Sequence, residues 1–345
     1  MSTVPGVLDL LGLLAENAPV PVTAWAAFWQ RVADNASDPA EFVDVLTALS
    51  RELPRDETLV SFVTSISGPA PERLIEAVNI VGIGGGPPTM NLSTAAALVA
   101  AASGVPVVKG GSRAYTSSLG STELIGRAGI PTTTSLADLQ GSLAATGIAF
   151  AGQHVYPTEF TRLARRIVPV GMKEFGAFLN VIGPFAARIP VRALVTGRSS
   201  RASTATLRAL GSADPTRSLW ICSSEFGADE LLSICRSTIL APDGQAHVIV
   251  PGTLTSGRGS LHDLAPADPD DAVEHFAQAL AGTLAVAVTE TLCLNAAVVI
   301  LASGAEHDLS SAYARATASV ASGAASRLLG ALHSPVTVQP AGARV

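Results

Sequence analysis

Between Val78 and Gly126 the chain reads as strand, glycine turn, helix, strand and a second glycine turn. A β-branched run, Val78 to Val81, leads into Gly82-Ile83-Gly84-Gly85-Gly86, and Asn91-Leu92-Ser93-Thr94 then opens an apolar helix rich in alanine. That order predicts a βα unit, because glycines permit the turn and the close backbone approaches that side chains obstruct. It also makes an anion site: bare main-chain N–H groups and the first turn of a helix both favour negative charge. The strand Val105-Pro106-Val107-Val108 feeds a second such turn, Lys109-Gly110-Gly111-Ser112-Arg113, which adds two cations and a hydroxyl. Together the two turns predict a phosphorylated ligand.

The alternation continues downstream. Ile148 to Ala151, Val191 to Val195, Ser218 to Cys222 and His247 to Val250 are further candidate strands, with alanine-rich helical patterns between them, as in parallel βαβ units. Glu159 to Gly183 reads as helical and ends at the stop signal Gly183-Pro184. The first seventy or so residues read instead as an all-α unit. Trp25, Phe28, Trp29 and Val32 recur at helical spacing, as do Phe42, Val45, Leu46 and Leu49. Asp38-Pro39-Ala40-Glu41 offers an N-cap, a proline at N1 and a glutamate at N3, and a third helix is expected over Asp56 to Ile66. The two tryptophans read as core or interface.

With 345 residues the chain can bury a sizeable core in two or three lobes. Mean hydropathy is high at +0.39, but no apolar run reaches the roughly eighteen residues of a membrane span. No basic segment precedes Leu8 to Leu14, so a signal peptide is not expected and the cytoplasm is the expected location. Cys222, Cys235 and Cys293 lie far apart with no CxxC spacing, which excludes a disulfide framework or a structural zinc and leaves them as small core residues. A net charge of −6 without basic clusters argues against a nucleic-acid partner.

Several separated blocks resemble the anthranilate phosphoribosyltransferase family: Gly82-x-Gly84-Gly85, Thr89-Met90-Asn91-Leu92-Ser93-Thr94, Lys109-x-Gly111-x-Arg113, Ser117-Ser118-x-Gly120-Ser121, Asn180-x-x-Gly183-Pro184, Gly227-Ala228-Asp229-Glu230-Leu231 and Leu294-Asn295-Ala296-Ala297. The resemblance spans nearly the whole chain. It implies an α/β fold in which a small helical domain, residues 1–72 plus about 158–188, is hinged to a larger domain, residues 77–155 plus about 190–338, with a mostly parallel sheet flanked by helices. It also implies Mg²⁺, phosphoribosyl pyrophosphate (PRPP) as donor, a small-molecule acceptor and a homodimer through the helical domain. Carried onto these residues, Lys109, Asp229 and Glu230 are the expected catalytic groups. Ser93, Asp229 and Glu230 are the expected metal ligands. Gly82, Gly85, Thr89, Asn91, Ser93, Thr94, Lys109, Arg113, Ser117 and Ser121 are the expected cradle of the donor.

The departures from the family pattern concentrate in the same turns. Its glycine loop reads Gly-Thr-Gly-Gly-Asp, where this chain has Ile83 for the threonine and Gly86 for the aspartate. Its Lys-His-Gly-Asn-Arg turn is here Lys109-Gly110-Gly111-Ser112-Arg113, and the position of an arginine near the acceptor's carboxylate falls at about Val170-Gly171. A planar carboxylate is held well by a guanidinium fork and poorly by valine or glycine. The expectation is therefore a phosphoribosyltransferase with a non-anthranilate acceptor, such as an amine- or hydroxyl-bearing aminocyclitol or aminoglycoside, with Glu123, Glu174 and Glu225 near the cleft. The alternatives are an anthranilate phosphoribosyltransferase, a nucleoside phosphorylase and a non-catalytic binding relative.

Overall fold

In a computed structural model of the chain, residues 9–34, 39–68, 71–111, 119–165 and 172–333 are described. Among them the centre is one seven-stranded sheet of β1 (Ile75–Val81), β2 (Val107–Lys109), β3 (Ile148–Phe150), β4 (Val191–Gly197), β5 (Ser218–Ser224), β6 (Ser237–Leu240) and β7 (Ala246–Ile249), in the order β3-β2-β1-β4-β5-β6-β7. The first five in sequence pair in parallel, and β6 pairs antiparallel with both β5 and β7. Winding runs outward from β1 to β3 and then restarts at β4 on the other side of β1. Loops leaving the carboxyl ends of strands diverge at such a reversal, and the crevice between them is where open α/β sheets bind ligands.

The mostly parallel α/β sheet agrees with the sequence reading, but the expectation of parallel units throughout fails beyond β5. β6 is a four-residue strand with only two strongly buried positions, too faint a pattern to read, and residues 241–245 join it to β7 by a link too short for a parallel crossover. Strand ends shift by one or two residues: β2 begins at Val107, Ala151 contributes only a bridge to Thr133, and β7 begins at Ala246.

Helices cover both faces. On one lie α1 (Leu10–Ala15), α2 (Val22–Ala33), α3 (Pro39–Arg51) and α4 (Asp56–Ile66). On the other, α5 (Leu92–Ala102) is apolar all round because it is enclosed all round, including by the later helices. The chain continues through α6 (Ser121–Arg127), α7 (Leu136–Thr146), α8 (Thr158–Arg165), α9 (Met172–Ala186) and α10 (Thr204–Gly211), and ends in α11 (Ala272–Ala281), α12 (Val286–Ala302), α13 (Leu309–Ala321) and α14 (Ala324–Leu332). The predicted apolar stripes of α2 and α3 are buried and meet α4 and α9 ring against ring: Trp25 lies 4.9 Å from Phe62, Phe28 5.7 Å from Phe42, and Phe62 5.3 Å from Phe178. Both indole N–H groups are satisfied, Trp25 on Ser61 Oγ at 3.2 Å and Trp29 on Ser65 Oγ at 2.9 Å. This cluster runs on without a break to Ile83, Leu194, Leu207 and Ile221, so the helical unit packs directly on the sheet and on the glycine loop.

The helix α3 starts at Pro39 with Glu41 in its first turn, as the sequence predicts, and Glu41 also forms an ion pair with Arg31 at 2.6 Å, while Asp38 lies outside the described residues. One local expectation is corrected. The helix expected to stop at Gly183-Pro184 continues to Ala186. Pro184 has no N–H for the Asn180 carbonyl, but the ladder resumes when Ala187 donates to the Gly183 carbonyl at 3.0 Å, so the ring costs one bond and not the helix. The three cysteines are buried and free, and among the described residues no single helix is long and apolar enough to cross a membrane.

Candidate active site

The winding reversal places the Gly82 loop, after β1, beside the end of β4, and a cleft of about 1120 Å³ opens over them. Behind the loop stands Asp229. Its Oδ2 accepts the N–H groups of Ile83 at 2.6 Å and Gly84 at 2.8 Å. This corrects the expectation of a bare loop: two of its amides are engaged by a carboxylate of the chain. The approach is close enough that a Cβ on Gly82 would sit 2.7 Å from Asp229 Oδ2, and one on Gly197, at the end of β4, 1.7 Å from the Asp229 carbonyl oxygen. Gly82→Ala is therefore expected to push the carboxylate off the two amides and cost about 1–3 kcal/mol of stability, read as a lowered midpoint in chemical denaturation.

The turn carrying Asp229 is fixed from below. Asn295 on the enclosed helix α12 accepts the Leu231 N–H at 3.1 Å and donates to the Leu231 carbonyl at 2.8 Å. Two residues on, Thr291 Oγ1 accepts the Ser233 N–H at 3.1 Å.

Lys109 ends β2 and is 3% exposed, its Nζ donating to the Gly110 carbonyl at 2.5 Å. Burial lowers its pKa to about 8, a shift that the nearby Glu230 and Asp229 oppose. Glu230 keeps a flank open to the cleft, and Thr89 Oγ1 donates to it at 3.4 Å. Desolvation, then the adjacent Asp229, hold its carboxyl well above the usual range, against the opposing pull of Lys109.

Most of the residues singled out in the sequence converge here. Gly82, Gly85, Thr89, Asn91, Ser93, Lys109, Ser121, Asp229 and Glu230 all line the cleft. Gly85 has φ +92°, a left-handed turn that aims the loop outward. Asn91 precedes α5 without capping it by its side chain, its Nδ2 reaching the Leu119 carbonyl at 3.4 Å. Thr94 does not line the cleft: it is fully buried inside α5, because the helix turns it inward. Arg113 and Ser117 lie outside the described residues, as do Ser112, Val170, Gly171 and the side chain of Glu174. Glu123 lines the cleft and accepts the Gly120 N–H at 2.9 Å, whereas Glu225 does not line it.

The altered positions have packing reasons. Ile83 is 1% exposed and belongs to the helical unit's core. At Gly86 a Cβ would meet the Gly227 carbonyl oxygen at 2.5 Å, so the turn of residues 227–228 occupies the space an aspartate there would need.

The far wall of the cleft was not legible in the sequence. Tyr156 and Phe160 stack at 6.2 Å between ring centroids, 25° between planes, and Tyr156 Oη donates to the Gly111 carbonyl at 3.1 Å. With Leu179, Asn180 and His275 they give the cleft an aromatic, weakly polar stretch of lining. The one available signal was an aromatic pair at i, i+4 beside Pro157.

A family model described as the glycosyl transferase family a/b domain matches residues 74–326. An anthranilate phosphoribosyltransferase of Beijerinckia indica is 30% identical over 261 residues, covering 74% of this chain and 75% of that protein. The chain belongs to the anthranilate phosphoribosyltransferase family. Another member, from Mycobacterium ulcerans, is 31% identical over 300 residues, covering 84% of this chain and 75% of its own length. Among solved structures, the anthranilate phosphoribosyltransferase of Thermus thermophilus superposes with a TM-score of 0.79 at 24% identity, covering 94% of this chain and 98% of that one. That of Saccharomyces cerevisiae, in complex with PRPP and Mg, gives 0.76 at 19% identity, covering 94% and 96%. These structural likenesses establish the shared fold, and membership in the anthranilate phosphoribosyltransferase family makes the chain a transferase by kind.

Proposed function

We propose that this chain moves the 5-phosphoribosyl group of PRPP to a nucleophilic acceptor with loss of diphosphate, and that the acceptor is anthranilate, the substrate in its relatives' name. One observation carries the donor half: Lys109, Asp229 and Glu230 meet against the glycine loop at the carboxyl ends of the central strands. The leaving diphosphate needs its growing charge met, and a buried ammonium supplies that without reorganisation.

The residues present also fit Mg²⁺, the ion in the yeast relative's complex. Asp229, Glu230 and Ser93 offer hard oxygen donors lining one cleft, the two carboxyls adjacent in sequence. When bound there, Mg²⁺ supplies Lewis-acid neutralisation of the diphosphate. The chain's own groups do the rest. Asp229 holds the loop's shape, Thr89 and Glu230 flank the metal position, and Gly82, Gly85, Asn91, Ser121, Arg113 and Ser117 would hold the donor's phosphates. The stacked Tyr156 and Phe160 offer a flat apolar wall to an aromatic amine. Movement of the helical unit, residues 1–72 plus about 158–188, against residues 77–155 plus about 190–338 would exclude water, which otherwise hydrolyses the donor. We also infer a cytoplasmic homodimer through the helical unit.

A second reading has one observation in its favour. The described residues lining the cleft include Glu123, Asp229 and Glu230 but no arginine, and Lys109 is buried at the donor end. A carboxylate acceptor therefore finds no guanidinium fork among them, while an amine- or hydroxyl-bearing acceptor such as an aminocyclitol meets favourable charge. Titration calorimetry with PRPP and Mg²⁺ present, comparing anthranilate with a panel of aminocyclitols, decides between the two. Saturable binding and turnover of anthranilate establish the first reading; inert anthranilate beside a turned-over aminocyclitol establishes the second. Failure to bind PRPP with Mg²⁺ at all overturns both.

A further inference from the structure

At the opposite pole of the sheet, where β1, β4 and β5 begin, a separate cavity of about 1030 Å³ is bounded by the end of α12 and by the segment between α10 and β5. Three arginines line it, and their pairing is incomplete. Arg192 reaches Glu76 at 2.6 Å, at the surface. Arg217 has a side chain only 5% exposed, yet the contact recorded for its guanidinium among the described residues is Asp214, at 3.7 Å and itself 39% exposed. Arg208, on α10, lies against Gly244 with no acid within ion-pair distance among the described residues. Structural arginines usually spend their five donors on carbonyls or carboxylates. Leu219, Leu240 and Leu301 also line it, beside the hydroxyls of Ser212, Thr216, Ser218 and Ser303.

We propose that this cavity is a second binding site, for a small organic anion with a phosphate or carboxylate head and an apolar body. The head would take the fork of Arg208 and the open donors of Arg217, geometry suited to planar or tetrahedral oxyanions. The body would cover the leucines. Of the acids beside the cavity, Glu76, Asp214 and Glu306 are each turned toward an arginine, and Asp243 accepts the Gln245 N–H at 2.9 Å. The site does not depend on the reading of the cleft, and its strands are those whose other ends carry the Gly82 loop and Gly197.

The probe is phenyl phosphate, titrated calorimetrically into the intact chain and into the Arg208→Gln and Arg192→Gln variants, with circular-dichroism melts to confirm folding. Both arginines are exposed, so the substitutions leave the core untouched. The expected result is saturable binding that weakens by about tenfold or more in Arg208→Gln, the effect of losing one charge-assisted contact. Absence of saturable binding by the intact chain, or affinity unchanged in both variants, overturns the proposal. Inorganic phosphate binding as tightly as phenyl phosphate removes the apolar half of it.

Discussion

Asp229→Ala is expected to lower PRPP-dependent turnover by on the order of 10³-fold, and Glu230→Gln by a comparable factor, in steady-state assays at saturating Mg²⁺. The magnitude is the several kcal/mol that a correctly held divalent ion contributes at a departing diphosphate. The two substitutions separate in stability. Asp229 accepts two loop amides from behind the loop, so its removal leaves Ile83 and Gly84 without their partner and should cost about 2–4 kcal/mol in denaturation. Asp229→Asn keeps an acceptor oxygen while removing the charge, and should recover most of that stability but little of the turnover. Glu230, whose charged form is disfavoured where it stands, should unfold no more easily as glutamine. Full activity in both Asp229→Asn and Glu230→Gln at limiting Mg²⁺ would remove the metal site from this turn.

Lys109→Met is expected to reduce turnover by about 10²–10³-fold, as for loss of one preorganised charge at a developing anion. The wild-type protein should show the same loss by titration: activity declines as pH rises through about 8, where Lys109 gives up its proton. Stability moves the other way. With a folded pKa of about 8 against 10.5 for an ordinary lysine, the unfolded chain binds more protons between those values, so this group opposes folding less and less as pH rises across that window. Its burial thus opposes folding by about 3 kcal/mol below pH 8. Denaturation midpoints of wild type and Lys109→Met, compared from pH 7 to 10, should lose that rising component in the variant. A pH–rate profile flat to pH 10 would show that the ammonium is not required.

The glycine-loop side of the cleft was legible because it is local chemistry on a regular scaffold. A β-branched run, a glycine turn and an apolar helix put Gly82, Asn91 and Ser93 at one strand end whatever the rest of the chain does. Its internal wiring was not legible. Asp229 and Gly82 are remote in sequence, and the contact that binds them depends on β1 and β4 being neighbours, which no local pattern states. Thr94 failed for the opposite reason: its neighbours in sequence belong to the site, but helical rotation buries it. The Tyr156–Phe160 wall escaped because two aromatics four residues apart look like core. β6 escaped because four half-buried residues carry almost no periodicity. The family resemblance supplied the expectation of convergence; the reversal of winding between β1 and β4 explains it physically.

The grip of Asn295 on Leu231 bears on how such a protein can change its trade. One amide side chain fills both a donor and an acceptor role toward the same backbone unit, so neither aspartate nor leucine can replace it. The acid-bearing turn is therefore a fixture of the foundation, secured to a helix buried along its length. The aromatic wall is furnished by Tyr156 and Phe160, on the segment that leads into α8 and on α8 itself. Under the proposed function, a substitution on the wall would alter which nucleophile is admitted while leaving the Asn295–Leu231 contacts as they are.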